Sequence, residues 1–222
     1  LNCPSDQASS MAEFRNTGQP DWDWWERLWP DPAGVLRDLG LEPDDRVAEV
    51  GCGDGYFALP AASTAEEVYA VDLDDELLAD LRSTAERRGV AADVETIPGD
   101  ADDLPDLLPR PATFALLANV LHGVPEPTSF LDTVAESLTD RGRVGVVNWR
   151  DRPREETTVA GEPRGPPADL RIPPATTERA LADAGYEVAT VVDLPPYHYG
   201  VVAKRQLDAV ESAARTREVA FS

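Results

Sequence analysis

Residues 48–57 read AEVGCGDGYF, with Gly51, Gly53 and Gly55 at every second position and Glu49 two places before the first of them. Glycine adopts positive φ without steric cost and lets the backbone come close to a ligand. A run of this kind can present main-chain amides to a small molecule. Its spacing decides which molecule. The dinucleotide fingerprint is G-x-G-x-x-G, and here the third glycine comes one residue early. A nucleoside-triphosphate loop needs a lysine after its glycines, and Lys204 is the only lysine in the chain. A glycine-rich turn with no ligand is the plain alternative. For proton transfer near neutral pH the candidates are His122 and His198, the only two histidines.

The elements around the loop say where it sits. Arg46–Val50 reads as a strand that ends at the loop, and Tyr56–Ala65 as the start of a helix. Glu67–Asp72 (EVYAVD) is a second strand. Asp75–Arg88 is an amphipathic helix with Leu77, Leu78 and Leu81 on one face, Asp74 or Asp75 as its cap and Gly89 as its stop. Strands follow at Asp93–Ile97, Thr113–Ala118 and Arg143–Trp149, with a helix over Pro127–Leu138. Thr113–Ala118 is nearly all apolar, as suits a strand buried on both faces. A helix over Thr176–Ala184, with Thr176 as its cap and Gly185 as its stop, precedes strands at Tyr186–Asp193 and Tyr199–Ala203. The link Leu194–His198 is too short for a crossover helix, so those two strands pair antiparallel. The remaining alternation means βαβ units around a mostly parallel sheet. Ligands of such sheets bind at the carboxyl ends of the strands, which is where the glycine loop falls. Arg150–Pro174 is a polar excursion rich in proline and glycine.

Length and composition set outer bounds. A chain of 222 residues with 42% apolar content has enough material for one domain with a real core. No apolar run approaches the roughly 20 residues of a membrane span, and no signal peptide is visible. Cys3 and Cys52 are the only cysteines, neither with a partner at metal-ligand spacing, so no metal site and a reducing, cytoplasmic setting are expected. The formal net charge of −22 opposes nucleic acid and anionic membranes as partners. Abundant Asp and Glu with one lysine looks like proteins of salt-loving microbes. In molar salt the Debye length falls to about 3 Å and screens the self-repulsion.

In order along the chain, these features resemble the class I S-adenosylmethionine-dependent methyltransferases of the small-molecule type, with a halophilic archaeon as the expected source. Glu49-x-Gly51-x-Gly53-x-Gly55 matches the family's first motif, and Cys52 lies within it. Asp72 matches the acidic residue that accepts hydrogen bonds from both ribose hydroxyls, with Leu73 against the adenine face. Asp100 and Ala101 match the positions that meet the adenine amino group and ring. Asn119 falls beside the methionine end of the cofactor. Asp140-Arg141-Gly142 stands where a Pro-Gly-Gly-like turn is more usual. The resemblance covers roughly residues 45–204. It implies a Rossmann-like doubly wound α/β sheet of seven strands in the order 3-2-1-4-5-7-6, the last antiparallel, with helices on both faces. S-adenosylmethionine is the implied cofactor and S-adenosylhomocysteine the product. The expected layout is a flexible extension over 1–19, a methyltransferase domain over 20–205 with a helical cap at 20–44, and a helical tail over 206–222.

The acceptor side is less legible. His122 follows the fourth strand, as a catalytic residue or as a polar loop residue. His198 lies between Tyr197 and Tyr199, in a turn that is either structural or faces the acceptor. Trp149 and Arg150 end the fifth strand, and Arg150 either meets a substrate carboxylate or pairs with the acidic surface. Asp21–Trp29 (DWDWWERLW) holds four of the five tryptophans. Trp22, Trp25 and Trp29 share a helical face, which packs on the sheet, caps the acceptor or makes a homodimer contact. The [DN]-P-P-[YF] motif of DNA and protein-amide methyltransferases is absent after the fourth strand, which favours a small-molecule acceptor. Two further readings compete: an NAD-dependent oxidoreductase, disfavoured by the glycine spacing and the lack of a Tyr-x-x-x-Lys pair, and a non-catalytic S-adenosylmethionine-binding protein.

Overall fold

The computed structural model describes residues 22–206. The expected extension over 1–19 lies outside these residues, as does the expected tail apart from Gln206.

The apolar runs form the middle of a seven-stranded sheet. Its parallel strands are β1 (Arg46–Val50), β2 (Glu67–Asp72), β3 (Val94–Pro98), β4 (Ala112–Ala118) and β5 (Leu138–Trp149). Two more residues form each strand of a small hairpin, β6 (Thr158–Val159) and β7 (Glu162–Pro163). The sheet then closes with β8 (Tyr186–Leu194) and β9 (His198–Arg205). The order is β3-β2-β1-β4-β5-β9-β8, the expected order once the small hairpin is left out of the count. β9 runs antiparallel to both its neighbours, β5 and β8.

Both faces of the sheet are covered, because β1 and β4 are apolar on both sides and must bury both. On one face lie α1 (Trp22–Leu28), α2 (Pro32–Asp38), α3 (Ala58–Ala62) and α4 (Asp75–Arg88), around a core that includes Trp25, Leu36, Leu59, Leu78 and Phe114. On the other lie α5 (Leu104–Leu107), α6 (Pro127–Glu136) and α7 (Pro174–Asp183), around Leu117, Leu131, Val146, Leu181 and Tyr199. Each large side chain so enclosed contributes about 1.5–3 kcal/mol.

Local signals set α4 as expected. Asp74 Oδ1 accepts from the amides of Glu76 at 2.9 Å and Leu77 at 3.3 Å, and Gly89 closes the helix at φ 75°. Other boundaries moved, among them the expected helix over Tyr56–Ala65, which is α3 at Ala58–Ala62, and two of the shifts have a clear cause. α7 starts at Pro174, behind a Pro173 that makes no side-chain cap, and Thr176 is inside the helix. Proline at the first helical positions already has the right φ and needs no amide partner. α6 stops at Glu136 and β5 begins at Leu138, which pairs with Ala112 before a bulge in the ladder. Leu138 is buried in the core, and that burial outweighs its helical propensity.

The excursion after β5 is tied down. Arg171, 6% exposed, donates from Nε to the Pro166 carbonyl (3.1 Å) and from Nη1 to Arg152 (2.9 Å). Its Nη2 donates to Thr157 Oγ1 (2.9 Å) and the Arg164 carbonyl (3.0 Å). One buried guanidinium thus holds four points of the segment.

Candidate active site at the carboxyl ends of the strands

The glycine loop leaves β1 with Gly51 at φ 69°, Gly53 at 55° and Gly55 at 92°. Two of these glycines answer to the protein itself. A Cβ on Gly51 would lie 2.6 Å from Val120 Cγ2, and one on Gly55 would lie 2.7 Å from Leu81 Cγ. The loop is therefore pressed against β4's exit on one side and α4 on the other. At Gly53 the amide donates to Asp72 Oδ2 at 2.8 Å, while Asp72 Oδ1 accepts from the Asp74 amide at 3.0 Å. Asp72 thus fixes the loop across the end of β2. A carboxylate has about four lone-pair sites, so it can still accept from hydroxyls. Leu73 beside it is 64% exposed, an apolar side chain with no protein cover.

The ends of β3 and β4 complete the rim. The Gly99 amide donates to the Asp72 carbonyl at 3.1 Å, and Asp100 Oδ1 accepts from the Asp102 amide at 3.1 Å, starting the short turn that carries Ala101. Asn119 adopts φ 59°, and its backbone N–H donates a hydrogen bond to the Val147 carbonyl at 2.8 Å. A non-glycine residue in that region is uncommon and tends to mark a functional site.

Below the rim, polar atoms are buried without protein partners among the described residues. They include Glu49 Oε2, Asn119 Oδ1, Trp25 Nε1, Trp29 Nε1 and both ring nitrogens of His198. Each such atom costs about 1–3 kcal/mol until something bonds to it. Burial raises the Glu49 carboxyl well above its ordinary range, helped by the charges of Asp72 and Asp54. A ligand bringing a cation or an N–H donor would relieve it. Burial, and then the charge of Glu49, raises the Cys52 thiol well above its ordinary value, which favours its protonated form.

The aromatic residues gather over the ends of β5 and β9. Trp25 stacks on Trp29 (5.4 Å between centroids, 6° between planes) and on Tyr56 (5.7 Å). The Tyr56 hydroxyl donates to the Trp29 carbonyl at 2.5 Å. His198 sits between Trp29 (4.3 Å) and Trp149 (4.1 Å), and Tyr197 stacks on Trp149 at 6.1 Å. Burial lowers His198 well below its ordinary value, with Arg171, Arg150 and His122 adding to it. His122 follows β4 in a short turn and is held down to about 4 by burial. Both imidazoles are therefore neutral at pH 7.

Trp25, Trp149, Tyr197 and His198 come together as one group. Tyr199 does not join them. Its ring lies in the core on the other face of the sheet, and its hydroxyl donates to the Ile172 carbonyl and pairs with Thr177, both at 2.7 Å. The alternation of side chains along β9 puts neighbours 198 and 199 on opposite faces. Arg150 pairs with Asp193 at 2.5 Å, the surface alternative of its two readings. Trp25 and Trp29 are turned into the chain's own core, which takes them from a dimer contact. Trp29, Tyr56 and Arg171 belong to the group and were not singled out as site residues. Trp29 was on the named helical face, but Arg171 carries no local signal. Among the described residues no group of three His, Cys, Asp or Glu could hold a metal ion.

Residues 48–146 match the family model described as a methyltransferase domain. A SAM dependent methyltransferase from Aquifex aeolicus superimposes with a TM-score of 0.70 at 24% identity, covering 83% of this chain and 93% of that one. The fold is that of the class I methyltransferases. Among curated proteins, the chain is similar in sequence to a dimethyladenosine transferase of Chaetomium thermophilum. It is 28% identical over 130 residues, 57% of this chain and 33% of the relative. A tRNA 5-carboxymethoxyuridine methyltransferase of Escherichia coli K12 is 30% identical over 115 residues, 52% of this chain and 44% of the relative. The chain spans less than half the length of these curated relatives. The solved structure that superimposes on this chain is named as dependent on S-adenosylmethionine (SAM). The site fits that cofactor on its own terms: an anchored carboxylate for hydroxyls, an uncovered apolar side chain beside it, and buried acceptors at Glu49 and Asn119.

Proposed function

We propose that the chain is an S-adenosylmethionine-dependent methyltransferase that passes a methyl group to a small-molecule acceptor by direct displacement. One observation carries most of this reading: Asp72 anchors the glycine loop beside a set of unsatisfied buried acceptors at the strand ends. Asp72 would accept from the ribose hydroxyls, and Leu73, Asp100 and Ala101 would meet the adenine. Glu49 and Asn119 would hold the amino-acid end, and the loop of Gly51, Cys52, Gly53 and Gly55, whose amides are spent on oxygens of Val71, Asp72 and Cys52, would let the backbone come close to it. When bound, S-adenosylmethionine supplies an activated methyl group on a sulfonium whose charge disappears on transfer. The chain needs no covalent nucleophile; it orients the acceptor and excludes water.

A small acceptor is favoured over RNA by the net charge of −22, which repels a phosphate polymer. The names of two relatives point the other way, and the choice is open to a direct test. Labelled methyl donor is offered with a metabolite pool, tRNA or ribosomal RNA. Label in the metabolites supports the reading, and label in RNA alone overturns it. No helix among the described residues is long and apolar enough to cross a membrane. We place the chain in the cytoplasm of a halophilic archaeon, on its acidic composition and single lysine.

A further inference from the structure

Glu49 lies on β1 and is 2% exposed. Its register neighbours, Ala70 on β2 and Leu116 on β4, bring no charge. Side chains alternate along a strand, so Glu49 shares the face of Val47, the face covered by α1 to α4. Of these helices α3 carries no charged residue. The charges that bear on Glu49 come from Asp72, at the end of β2, and Asp54, in the glycine loop, and the Cys52 thiol feels Glu49 in return. No arginine, lysine or histidine is among them. Glu49 Oε2 also has no hydrogen-bond donor among the described residues.

An ionised Glu49 would therefore be a buried anion beside two others, with no counter-ion. A carboxylate so placed takes up a proton instead. A cationic ligand group reverses that preference. Asn119 Oδ1, at the exit of the neighbouring strand β4, is a second buried acceptor without a partner. A primary ammonium has three N–H donors and can serve both acceptors at once, whereas a sulfonium has none.

We propose that the empty protein holds Glu49 protonated, and that binding of the donor's amino-acid end exchanges this proton for the α-ammonium group. The inference rests on the methyltransferase reading above and adds to it that cofactor binding is linked to pH. On binding, the Glu49 O–H bond breaks, its electron pair stays on the carboxylate oxygen and the proton leaves to water. The carboxylate and Asn119 Oδ1 then accept from the ammonium. Affinity rises about tenfold per pH unit while the empty site is still protonated, and levels off above that range. A ligand without the ammonium leaves the proton in place.

The test is titration calorimetry of the full chain from about pH 5 to about pH 9, above the ordinary carboxyl range. Each pH is measured in two buffers of unequal ionisation enthalpy, which counts the protons released. The probes are S-adenosylmethionine, S-adenosylhomocysteine, which lacks the sulfonium, and 5′-methylthioadenosine, which lacks the amino acid. The first two should each release about one proton per site on the rising limb, and none on the plateau. Methylthioadenosine should release none and bind with an affinity independent of pH. In Glu49→Gln the S-adenosylhomocysteine affinity should be flat with pH, near the wild-type value at the acid end. If that variant does not fold, the three ligands on the wild type still decide. Binding of S-adenosylhomocysteine with no proton released at any pH would overturn this inference alone, as would proton uptake, which marks a protonated Glu49 that donates to the ligand carboxylate. Release with S-adenosylmethionine but not with S-adenosylhomocysteine would also overturn it, because the sulfonium would then be the cation read. Equal release by methylthioadenosine would do the same. Failure of both sulfur compounds with an amino-acid end to bind would overturn the methyltransferase reading and this inference with it.

Discussion

The two ends of the sheet treat their buried polar groups in opposite ways. At the amino end, Asp45, 4% exposed, accepts from Arg143 Nη2 at 2.8 and 2.7 Å, from Thr113 Oγ1 at 2.7 Å and from the Glu42 amide at 2.8 Å. Arg143 in turn donates to the Gly40 carbonyl at 2.6 Å. Every lone pair of that carboxylate has work within the protein. At the carboxyl end, Glu49 is 2% exposed and its Oε2 has no protein partner, and Asn119 and His198 lie nearby in the same condition. A carboxylate just before β1, Asp45, is a structural clamp, and another within the strand, Glu49, is an unsatisfied acceptor. A fold can hold groups of the second kind only where a ligand or solvent completes them. The clamp end supplies the stability that the ligand end gives up.

The largest expected effect comes from breaking the clamp. Asp45→Ala leaves Arg143 partly buried beside an empty acceptor site, and should destabilise the chain by about 3 kcal/mol, measured by urea unfolding. Affinity for S-adenosylhomocysteine should hardly change in the folded fraction. Next is Asp72→Ala at the other end. It should lower S-adenosylhomocysteine affinity by about 30–100-fold, as loss of hydrogen bonds to a charged group does, with the circular dichroism spectrum intact. Unchanged affinity would take Asp72 out of the site.

Glu49→Gln sharpens the contrast. A carboxyl raised in the folded state holds its proton there more tightly than in the unfolded chain, so its cost is absent below about pH 4.5 and grows as pH rises toward the folded value. At pH 7 the amide should raise the melting temperature of the ligand-free protein, by about 2–4 °C for each kcal/mol relieved, and should weaken cofactor binding. The difference in melting temperature between variant and wild type should vanish as the pH falls through 4.5. The smallest and least local effect is that of salt. Added KCl should raise the melting temperature through screening of the net charge of −22. A protein equally stable in dilute buffer would remove the halophilic reading.

Much of the fold was legible because its signals are local. Asp74 and Gly89 bracket α4 at the expected residues, and the short link after Leu194 forces the antiparallel pair. The glycine loop, Asp72 and Asn119 were legible as a series in order along the chain. What they do within the protein was not. That Gly51 answers to Val120, and Gly55 to Leu81, depends on contacts between distant segments. The acceptor side failed for the same reason. Tyr197, His198 and Tyr199 read as one aromatic cluster in sequence, yet strand alternation sends Tyr199 to the opposite core. Arg171 organises the excursion through four bonds to residues 5 to 19 positions away, and no spacing rule predicts them. Leu138 turned from helix to strand because its partner, Ala112, lies on another element.

The central claim is that the carboxyl end of the sheet is completed by S-adenosylmethionine. Titration calorimetry of the full chain with S-adenosylmethionine, S-adenosylhomocysteine and NAD tests it directly. The account predicts that the first two bind at one site per chain, that Asp72→Ala weakens both, and that NAD gives no heat. Binding of NAD alone, or no binding of either sulfur compound, would contradict it.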